Sequence, residues 1–541
     1  MNYFRLWLAM GLVIVGSFAV LGYFGREIYR EAPPQPARVV TTDGRVVFEG
    51  QDIKDGQNVW QSTGGHEMGT IWGHGSYVAP DWSADWLHRE SEWMLNYWAR
   101  QEFGAIGYAA LSQPDQAALQ RRLEIEMRTN TYDPNTGVIT VSPVRAMAIE
   151  AVGQHYAGLF GNDPAFAELR EAYAIPANVI KDPQRQHQMN GFFWWASWAC
   201  TTNRPGQAIT YTQNWPPEDL VGNKPTSSSV IWSVASFVLL LAGIGALAWY
   251  YAVLRHKQPA GEVQLPERDP LLALQPTPSM KATLKYFWVV IGLMIAQITM
   301  GIVTAHYGVE GSGFYGIPLA ELLPYAVTRT WHTQLGIFWI ATAWLATGLF
   351  IAPAVSGYEP KFQRFGGNFL FVSLLIIVVG SMFGTWYGTR QEMGLEANFW
   401  FGHQGYEYVD LGRFWQIFLF IGLFLWLGLM GRGLWPALRQ PGPNRHLLVL
   451  FFIASAAIAL FYGAGLMWGR QTNLAIAEYW RWWVVHLWVE GFFEVFATVV
   501  IAFLFTRMGL LRTLTATAAV LFSTTIFLSG GILGTFHHLY F

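Results

Sequence analysis

The sequence predicts an all-α polytopic membrane protein with a separate domain outside the bilayer, and three observations support this class. Only 13% of the 541 residues are charged, while 52% are hydrophobic, a balance too apolar for an ordinary soluble globule. Apolar runs of about 20 residues, the length that crosses a bilayer as a helix, recur along the chain. A more polar segment between the first two runs predicts the outer domain.

Nine apolar runs predict about nine transmembrane helices in contact with the lipid bilayer. They lie near 6–24, 230–253, 286–306, 331–353, 368–388, 413–431, 447–465, 484–505 and 513–536. The predicted organisation is an N-terminal anchor at 1–25, the outer domain at 26–229, a second span with a proline-rich linker at 230–285, and a helical bundle at 286–541. The net charge of −2 gives no sign of a nucleic-acid partner, and the single cysteine excludes an intrachain disulfide.

Loop charge predicts the orientation of these spans. The loops at 254–285, 354–365, 432–446 and 507–512 contain twelve Lys and Arg residues, whereas the alternate loops at 307–329, 389–413 and 466–482 contain five. The positive-inside rule places the first set in the cytoplasm. Five histidines then lie near the outer membrane boundary, which scattered core histidines would not be expected to do: His306, His332, His486, His537 and His538.

The outer segment is predicted to be mixed but mainly helical. Helix-like stretches lie near 84–104, 114–128, 143–159 and 164–173, and short strand-like pieces at Arg45–Phe48 and Gly137–Val141. Trp194, Trp195 and Trp198, beside Cys200, are predicted to pack in a core or an interface rather than to form a site.

Ionisable residues at membrane depth mark a candidate metal centre, because such residues are costly there. His486, Glu490 and Glu494 are spaced i, i+4 and i+8, so an α-helix would place them on one face. The adjacent His537 and His538 can share an ion where the last helix ends. Three imidazoles and one carboxylate favour iron over copper. The alternative is a set of buried polar residues that pair with backbone groups.

Three motifs carry a resemblance to a known family: His486-x-x-x-Glu490, the His537-His538 pair, and Arg329-Thr-Trp-His332. They resemble the catalytic subunit of bacterial nitric oxide reductases, in the heme–copper oxidase superfamily. The outer domain with two additional spans makes the chain similar to the quinol-dependent, single-chain form. The resemblance implies a bacterial inner membrane location, with the large domain on the periplasmic side.

The resemblance also implies roles for individual residues. A non-heme iron facing a high-spin heme b would be bound by His486, Glu490, His537 and His538. Glu494 would orient these ligands or pass protons. His332 would be an axial ligand of a low-spin heme b, and Arg329, one turn earlier, would pair with heme propionates.

One position separates nitric oxide from dioxygen as the main substrate. Many oxygen reductases of the superfamily have a tyrosine four residues after the first metal histidine, where it supplies an electron and a proton. Here Glu490 occupies that position. A carboxylate cannot act as that donor but is a good iron ligand, so nitric oxide is favoured.

The outer domain resembles the c-type cytochrome subunit of two-subunit reductases over Gly56–Trp60 and Gly75–Asp81. The heme-attachment motif Cys-x-x-Cys-His is replaced by Ser62-Thr-Gly-Gly-His66, so no heme c is expected and membrane quinol becomes the predicted electron donor. His306 and Glu310 are the candidate quinol site, because a histidine and a carboxylate together can accept two protons. The alternative is a solvated pair that anchors the helix end.

A calcium site is a further expectation from the resemblance, with Gly75 and Tyr77 of the outer domain and Glu407, near Asp410, as its oxygen ligands. A salt bridge from Glu407 or Asp410 to Arg390 or Arg413 is an equal alternative.

The family has further spans after the His-His pair, which carry the axial histidine of the high-spin heme and the second ligand of the low-spin heme. We expect a following segment or a second chain to supply them, since no residue here matches those motifs. The expected reaction is reduction of nitric oxide to nitrous oxide and water. Two alternatives remain, a quinol-dependent oxygen reductase and a non-catalytic heme- or quinol-binding subunit. The sequence leaves the oligomeric state open, a homodimer included.

Overall fold

The computed structural model describes residues 3–74, 78–257, 265–313, 315–442 and 444–535. The N-terminal helix and the outer domain comprise, in chain order, α1 (Phe4–Glu31), β1 (Arg38–Thr41), β2 (Val46–Glu49), α2 (Gly50–Ser62), α3 (Trp82–Phe103), α4 (Gln113–Arg128), β3 (Tyr132–Asp133), β4 (Val138–Val141), α5 (Pro143–Phe160), α6 (Ala167–Ala172) and α7 (Pro183–Thr201).

The remaining elements build the bundle and its connections. They are α8 (Ser227–Lys257), α9 (Pro278–Ala282), α10 (Leu284–Tyr307), α11 (Leu319–Leu322), α12 (Tyr325–Ser356), α13 (Gln363–Thr389), α14 (Leu395–Phe401), α15 (Arg413–Arg439), α16 (Arg445–Phe461), α17 (Leu474–Trp482), a π-helix (Trp483–Phe493), α18 (Glu494–Arg507) and α19 (Thr513–Thr535).

Nine helical segments in the described part of the chain are long and apolar enough to cross a membrane. Each coincides with one of the nine predicted spans, so the polytopic helical class is confirmed. Helix α10 packs along α12, and α15 packs against both α12 and α13. The N-terminal helix α1 packs against α19 and also against α17, where the Tyr479 hydroxyl donates to the Leu21 carbonyl at 3.0 Å.

The outer domain has a small sheet and a tryptophan-rich helical core. Its strand order is β2-β1-β4-β3, with β1 parallel to β4 and antiparallel to β2. Buried indoles fill the space between α2, α3 and α7, and Trp82 stacks on Phe193 with ring centroids 5.6 Å apart. The predicted strand pieces are confirmed as β2 and β4. Trp194, Trp195 and Trp198 are buried core residues, as predicted.

Two central helices of this domain were not predicted, α2 and α7. Helix α7 is buried on all sides from Phe192 to Thr201, so it lacks the polar stripe from which an amphipathic helix is recognised. Strand β1 has four residues and was also missed, because so short a run carries little periodicity.

The outer domain lies directly on the end of the bundle where α12 and α15 begin. The His66 backbone N–H donates to the Gly405 carbonyl at 3.0 Å. A Cβ atom added at Gly405 would lie 2.5 Å from the Gln61 Cα atom, so the two backbones meet without room for a side chain. Around this contact the Gln57 amide donates to the Tyr406 hydroxyl at 3.1 Å, and Arg470 pairs with Asp55 at 3.0 Å.

The Gly405 contact gives a test of this docking. Substitution Gly405→Ala should lower the free energy of unfolding more than Gly206→Ala. Both glycines have a left-handed backbone, with φ +70° and +71°, but a Cβ at Gly206 meets nothing within 4 Å. The difference should be about 1–3 kcal/mol, the usual cost of overpacking. Thermal unfolding of the purified protein measures it, and equal losses for the two variants would show that the domain does not depend on this contact.

Candidate functional site

A buried polar cluster lies where the outer domain meets the bundle, and it is called the interface cluster here. Its members are His66 and Glu67 after α2, Arg329 in the first turns of α12, Glu407 and Asp410 in the loop before α15, and Glu478 and Arg481 in α17. Four carboxylates therefore share an enclosed space with two guanidinium groups. Charges in such a space are stable only when they are paired or protonated.

Arg329 joins the two sides of this interface. Its Nη2 atom lies 2.9 Å from Glu407 Oε1, and its Nε atom lies 3.5 Å from Glu67 Oε2 of the outer domain. Arg390 and Arg413, the predicted alternative partners of the loop carboxylates, instead donate to the carbonyls of Glu321 and Gly465. The alternative of a salt bridge to Arg390 or Arg413 was therefore wrong, since Glu407 pairs with Arg329 instead. The position of Arg329 at the start of α12 brings it close to this loop.

His66 contacts the bundle through both ring nitrogens. The Glu407 backbone N–H donates to Nδ1 at 3.3 Å, so the ring proton lies on Nε2, which is 3.5 Å from Glu478 Oε1. Glu478 is in turn bound by Arg481 at 2.9 Å. Burial, reinforced by the Arg481 charge, holds the pKa of His66 well below its usual range. This histidine is therefore a neutral link between the two parts of the chain.

The second half of the interface cluster surrounds Asp410. Its Oδ2 atom accepts a hydrogen bond from the Gln334 amide at 3.0 Å. Its other oxygen is 4.0 Å from Nε2 of His403. The Gly405 N–H donates to Nδ1 of this neutral ring, so the ring proton lies on Nε2, which donates to the Thr330 hydroxyl at 2.7 Å. Burial raises the pKa of Asp410 to about 8, and burial together with Asp410 raises the pKa of Glu67 well above its usual range. The interface cluster can therefore hold protons near neutral pH.

His332 has the environment that a metal-binding histidine needs. Its Nδ1–H donates to the Gln297 carbonyl of α10 at 2.9 Å, which leaves the Nε2 lone pair for a metal. A Cβ added at Gly301 would lie 2.7 Å from both Nδ1 and Cε1 of the ring, so this glycine makes the space in which the imidazole packs. The residues present fit an axial heme ligand with a fixed tautomer.

The predicted metal centre lies only partly within the described residues. His486 is half-buried, and its ring centroid is 6.4 Å from that of Trp482. The Glu490 side chain and all of His537 and His538 fall outside the description. The described residues contain no group of three His, Cys, Asp or Glu side chains positioned to hold a metal ion. The iron ligand set therefore stays a prediction.

Backbone geometry at this centre differs from the expected α-helix. Trp483–Phe493 form a π-helix, in which hydrogen bonds join residue i to residue i+5, and α-helix resumes at Glu494. Residues four apart remain within about one turn of each other, but the i to i+8 relation of His486 to Glu494 no longer follows α-helical spacing. Glu494 is an exposed side chain. Such π segments occur frequently at functional sites.

The candidate quinol residues lie at the end of α10. His306 is half-buried in its last turn, and its ring centroid is 5.9 Å from that of Tyr315. Glu310 is exposed in the following turn, where its backbone N–H donates to the His306 carbonyl at 2.7 Å. The two residues are thus close to each other along the chain. They also lie next to the outer domain, since Glu171 of that domain accepts a hydrogen bond from the nearby Ser312 N–H at 2.6 Å.

The predicted calcium ligands are also divided. Gly75 and Tyr77 lie outside the described residues, whereas Glu407 is buried and paired with Arg329. The site therefore stays a prediction. Glu407 offers carboxylate oxygens between the outer domain and the bundle, and calcium prefers oxygen ligands.

Sequence reasoning missed the roles of Glu67, Glu478 and Arg481. A signal for two of them was available, because Glu478 and Arg481 are spaced i, i+3 as a helical pair just before the apolar run at 484–505. Glu67 had no comparable signal, since it lies in an irregular segment whose neighbours are known only from the fold.

Comparison with known proteins follows the two parts of the chain. Residues 36–217 match the family model of the NorB cytochrome c-like domain of nitric oxide reductase. Residues 281–541 match the model described as cytochrome c and quinol oxidase polypeptide I. A nitric oxide reductase polypeptide of Stutzerimonas stutzeri is 22% identical over 258 residues, which cover 47% of this chain and 51% of that protein. The chain thus spans about half the length of this relative.

The two family models match adjacent, non-overlapping parts of the chain, in agreement with the outer domain and bundle seen in the structure. The motifs at Arg329–His332 and His486–Glu490 lie within the second match. The chain therefore belongs to the NorB type of the heme–copper oxidase family.

Proposed function

We propose that this chain forms the quinol-oxidising and metal-binding part of a nitric oxide reductase in the bacterial inner membrane. Two molecules of nitric oxide, two electrons and two protons would give nitrous oxide and water. The observation that carries the choice of donor is the environment of His66, the residue that stands where a heme-c histidine would be. Both its ring nitrogens contact the bundle, next to a packed tryptophan core.

His332 and Gln297 support the heme part of the proposal. The Gln297 carbonyl holds the Nδ1 proton of His332 and so presents Nε2 to an incoming iron. Arg329 at the same end of α12 would balance the negative charge of propionates as it now balances Glu407. When bound, the two hemes and the non-heme iron supply one-electron transfer and the substrate-binding metal positions.

Proton handling falls to residues of the chain itself. His306 and Glu310 would accept the two protons that quinol releases as it is oxidised, at the membrane boundary. The interface cluster would hold protons on the same side, because its four carboxylates exceed its two guanidiniums. Glu494, which follows the π-helix, would orient ligands or pass protons toward the metal.

The choice of nitric oxide depends on Glu490. A carboxylate at this position can bind iron, but it cannot give up the electron that a tyrosine gives when dioxygen is split. The family relationship supports the same choice, since the related bacterial protein is named as part of a nitric oxide reductase.

Donor preference tests this function directly. The full encoded protein, reconstituted in lipid, should consume nitric oxide faster with a short-chain quinol than with reduced cytochrome c, and faster than it consumes dioxygen. The double substitution His306→Ala, Glu310→Gln should slow quinol-driven turnover at least tenfold, since acid–base catalysis contributes about 10²–10⁴-fold. The surface change His88→Ala should leave it unchanged. Faster turnover with cytochrome c would exclude quinol as the donor, and faster dioxygen consumption would favour the oxygen reductase.

The packing of His332 gives a second test. Gly301→Ala should displace the imidazole, because the new Cβ would lie 2.7 Å from two of its ring atoms. The absorption and electron paramagnetic resonance spectra of the low-spin heme should then change. Gly292→Ala, in the same helix with nothing within 4 Å, should leave both spectra as in the wild type. Unchanged spectra in Gly301→Ala would show that His332 is not the ligand.

Asp410 predicts a pH dependence of stability. Its pKa is about 8 in the folded protein against an ordinary 3.8, so the folded state binds its proton more tightly than the unfolded state does. The stabilisation is complete below pH 3.8 and is lost as the pH rises through 8. The melting temperature of the wild type minus that of Asp410→Asn should therefore fall over this window. The exposed control Asp219→Asn should show no such trend, and a pH-independent difference for Asp410→Asn would contradict the assignment.

A further inference from the structure

A groove opens at the end of the bundle that faces away from the outer domain. It has a volume of about 480 Å³ and lies between the α12–α13 connection and the last turns of α15. Its lining residues are Tyr358, Pro360, Gly431, Arg432, Trp435 and Pro436. The volume is within the range of small-ligand sites in proteins.

Positive charge surrounds this groove. Arg432 in its wall is anchored through Nη2, which donates to the Lys361 carbonyl at 2.6 Å. Arg439 lies over the Trp435 ring, with its guanidinium carbon 4.7 Å from the centroid, and Lys361 and Arg364 are exposed on the adjoining segment. The nearest acidic residue along the chain, Glu359, accepts from the Ser279 N–H at 3.1 Å and does not line the groove.

Exposed aromatic rings flank the cations. Tyr358 and Trp435 are 49% and 52% exposed, and Phe362 and Phe365 are 80% and 69% exposed. Phe362 also has a left-handed backbone, with φ +63°, which is unfavourable for a bulky residue. Tyrosine and tryptophan gather where helices leave the hydrocarbon layer, while exposed phenylalanines suit acyl chains.

We propose that this groove binds the headgroup of an anionic phospholipid. The phosphodiester would lie against Arg432 and Arg439, with Lys361 alongside, and the acyl chains would run beside Phe362 and Phe365. An anionic lipid fits better than a zwitterionic one, because a cationic headgroup would add charge to a wall without a lining carboxylate. Arginine guanidinium groups also match the geometry of phosphate oxygens. The proposal is independent of the catalytic function.

Native mass spectrometry and lipid titration of the full protein in nanodiscs test it. The wild type should bind phosphatidylglycerol more tightly than phosphatidylcholine. Arg432→Gln should weaken phosphatidylglycerol binding about fivefold, the effect of removing one interfacial cation of about 1 kcal/mol. Arg432→Lys should keep most of the affinity. The control Arg507→Gln removes an exposed cation from the same end of the bundle without touching the groove.

Several results would overturn the proposal. Equal weakening by Arg507→Gln and Arg432→Gln would mean that only diffuse charge attracts lipid. Equal binding of phosphatidylcholine, or equal competition by inorganic phosphate, would exclude an anionic lipid as the specific occupant. If Arg432→Gln fails to fold, Trp435→Ala replaces it, with loss of selective binding expected and wild-type binding contradicting the site.

Discussion

The contact of the outer domain with the bundle depends on burying charge of both signs in one enclosed space. Arg329 pairs with carboxylates from both sides, and His66 joins the Glu407 backbone to Glu478 without carrying charge itself. Removing one partner from such a network leaves an uncompensated group, which costs far more than a surface ion pair contributes. The glycine contact at Gly405 is what allows the two backbones to come close enough for these bonds.

The same network links fold to chemistry. Arg329 is one turn from His332 on α12, so the residue that ties the outer domain to the bundle also sets the start of the helix that presents the candidate heme ligand. Gln297 and Gly301 on α10 fix the ring from the other side. Position and tautomer of His332 are therefore determined by two helices and, through Arg329, by the outer domain.

The transmembrane part of the fold was predictable from the sequence because a span needs only length and hydrophobicity. The sequence offers site residues only where motifs are local, as at His332 and at His486 with Glu490, and the roles of these residues stay predictions. Helix α7 escaped prediction because it is buried all round, and Glu67 escaped because its partners come from residues hundreds of positions away. No local pattern indicated a π-helix at Trp483–Phe493, since hydrophobic runs of that length are equally compatible with α-helical turns.

The π-helix at Trp483–Phe493 changes the rotation of one end of this span about the helix axis relative to the other end. An α-helix advances about 100° per residue, since it has 3.6 residues per turn. Each wide turn between His486 and Glu494 therefore rotates everything after it, α18 included, relative to α17. Returning the same residues to α-helical turns, with none deleted, would swing Glu494 around the helix axis while the composition stayed the same. The angular setting of this carboxylate thus depends on the width of the helix that precedes it.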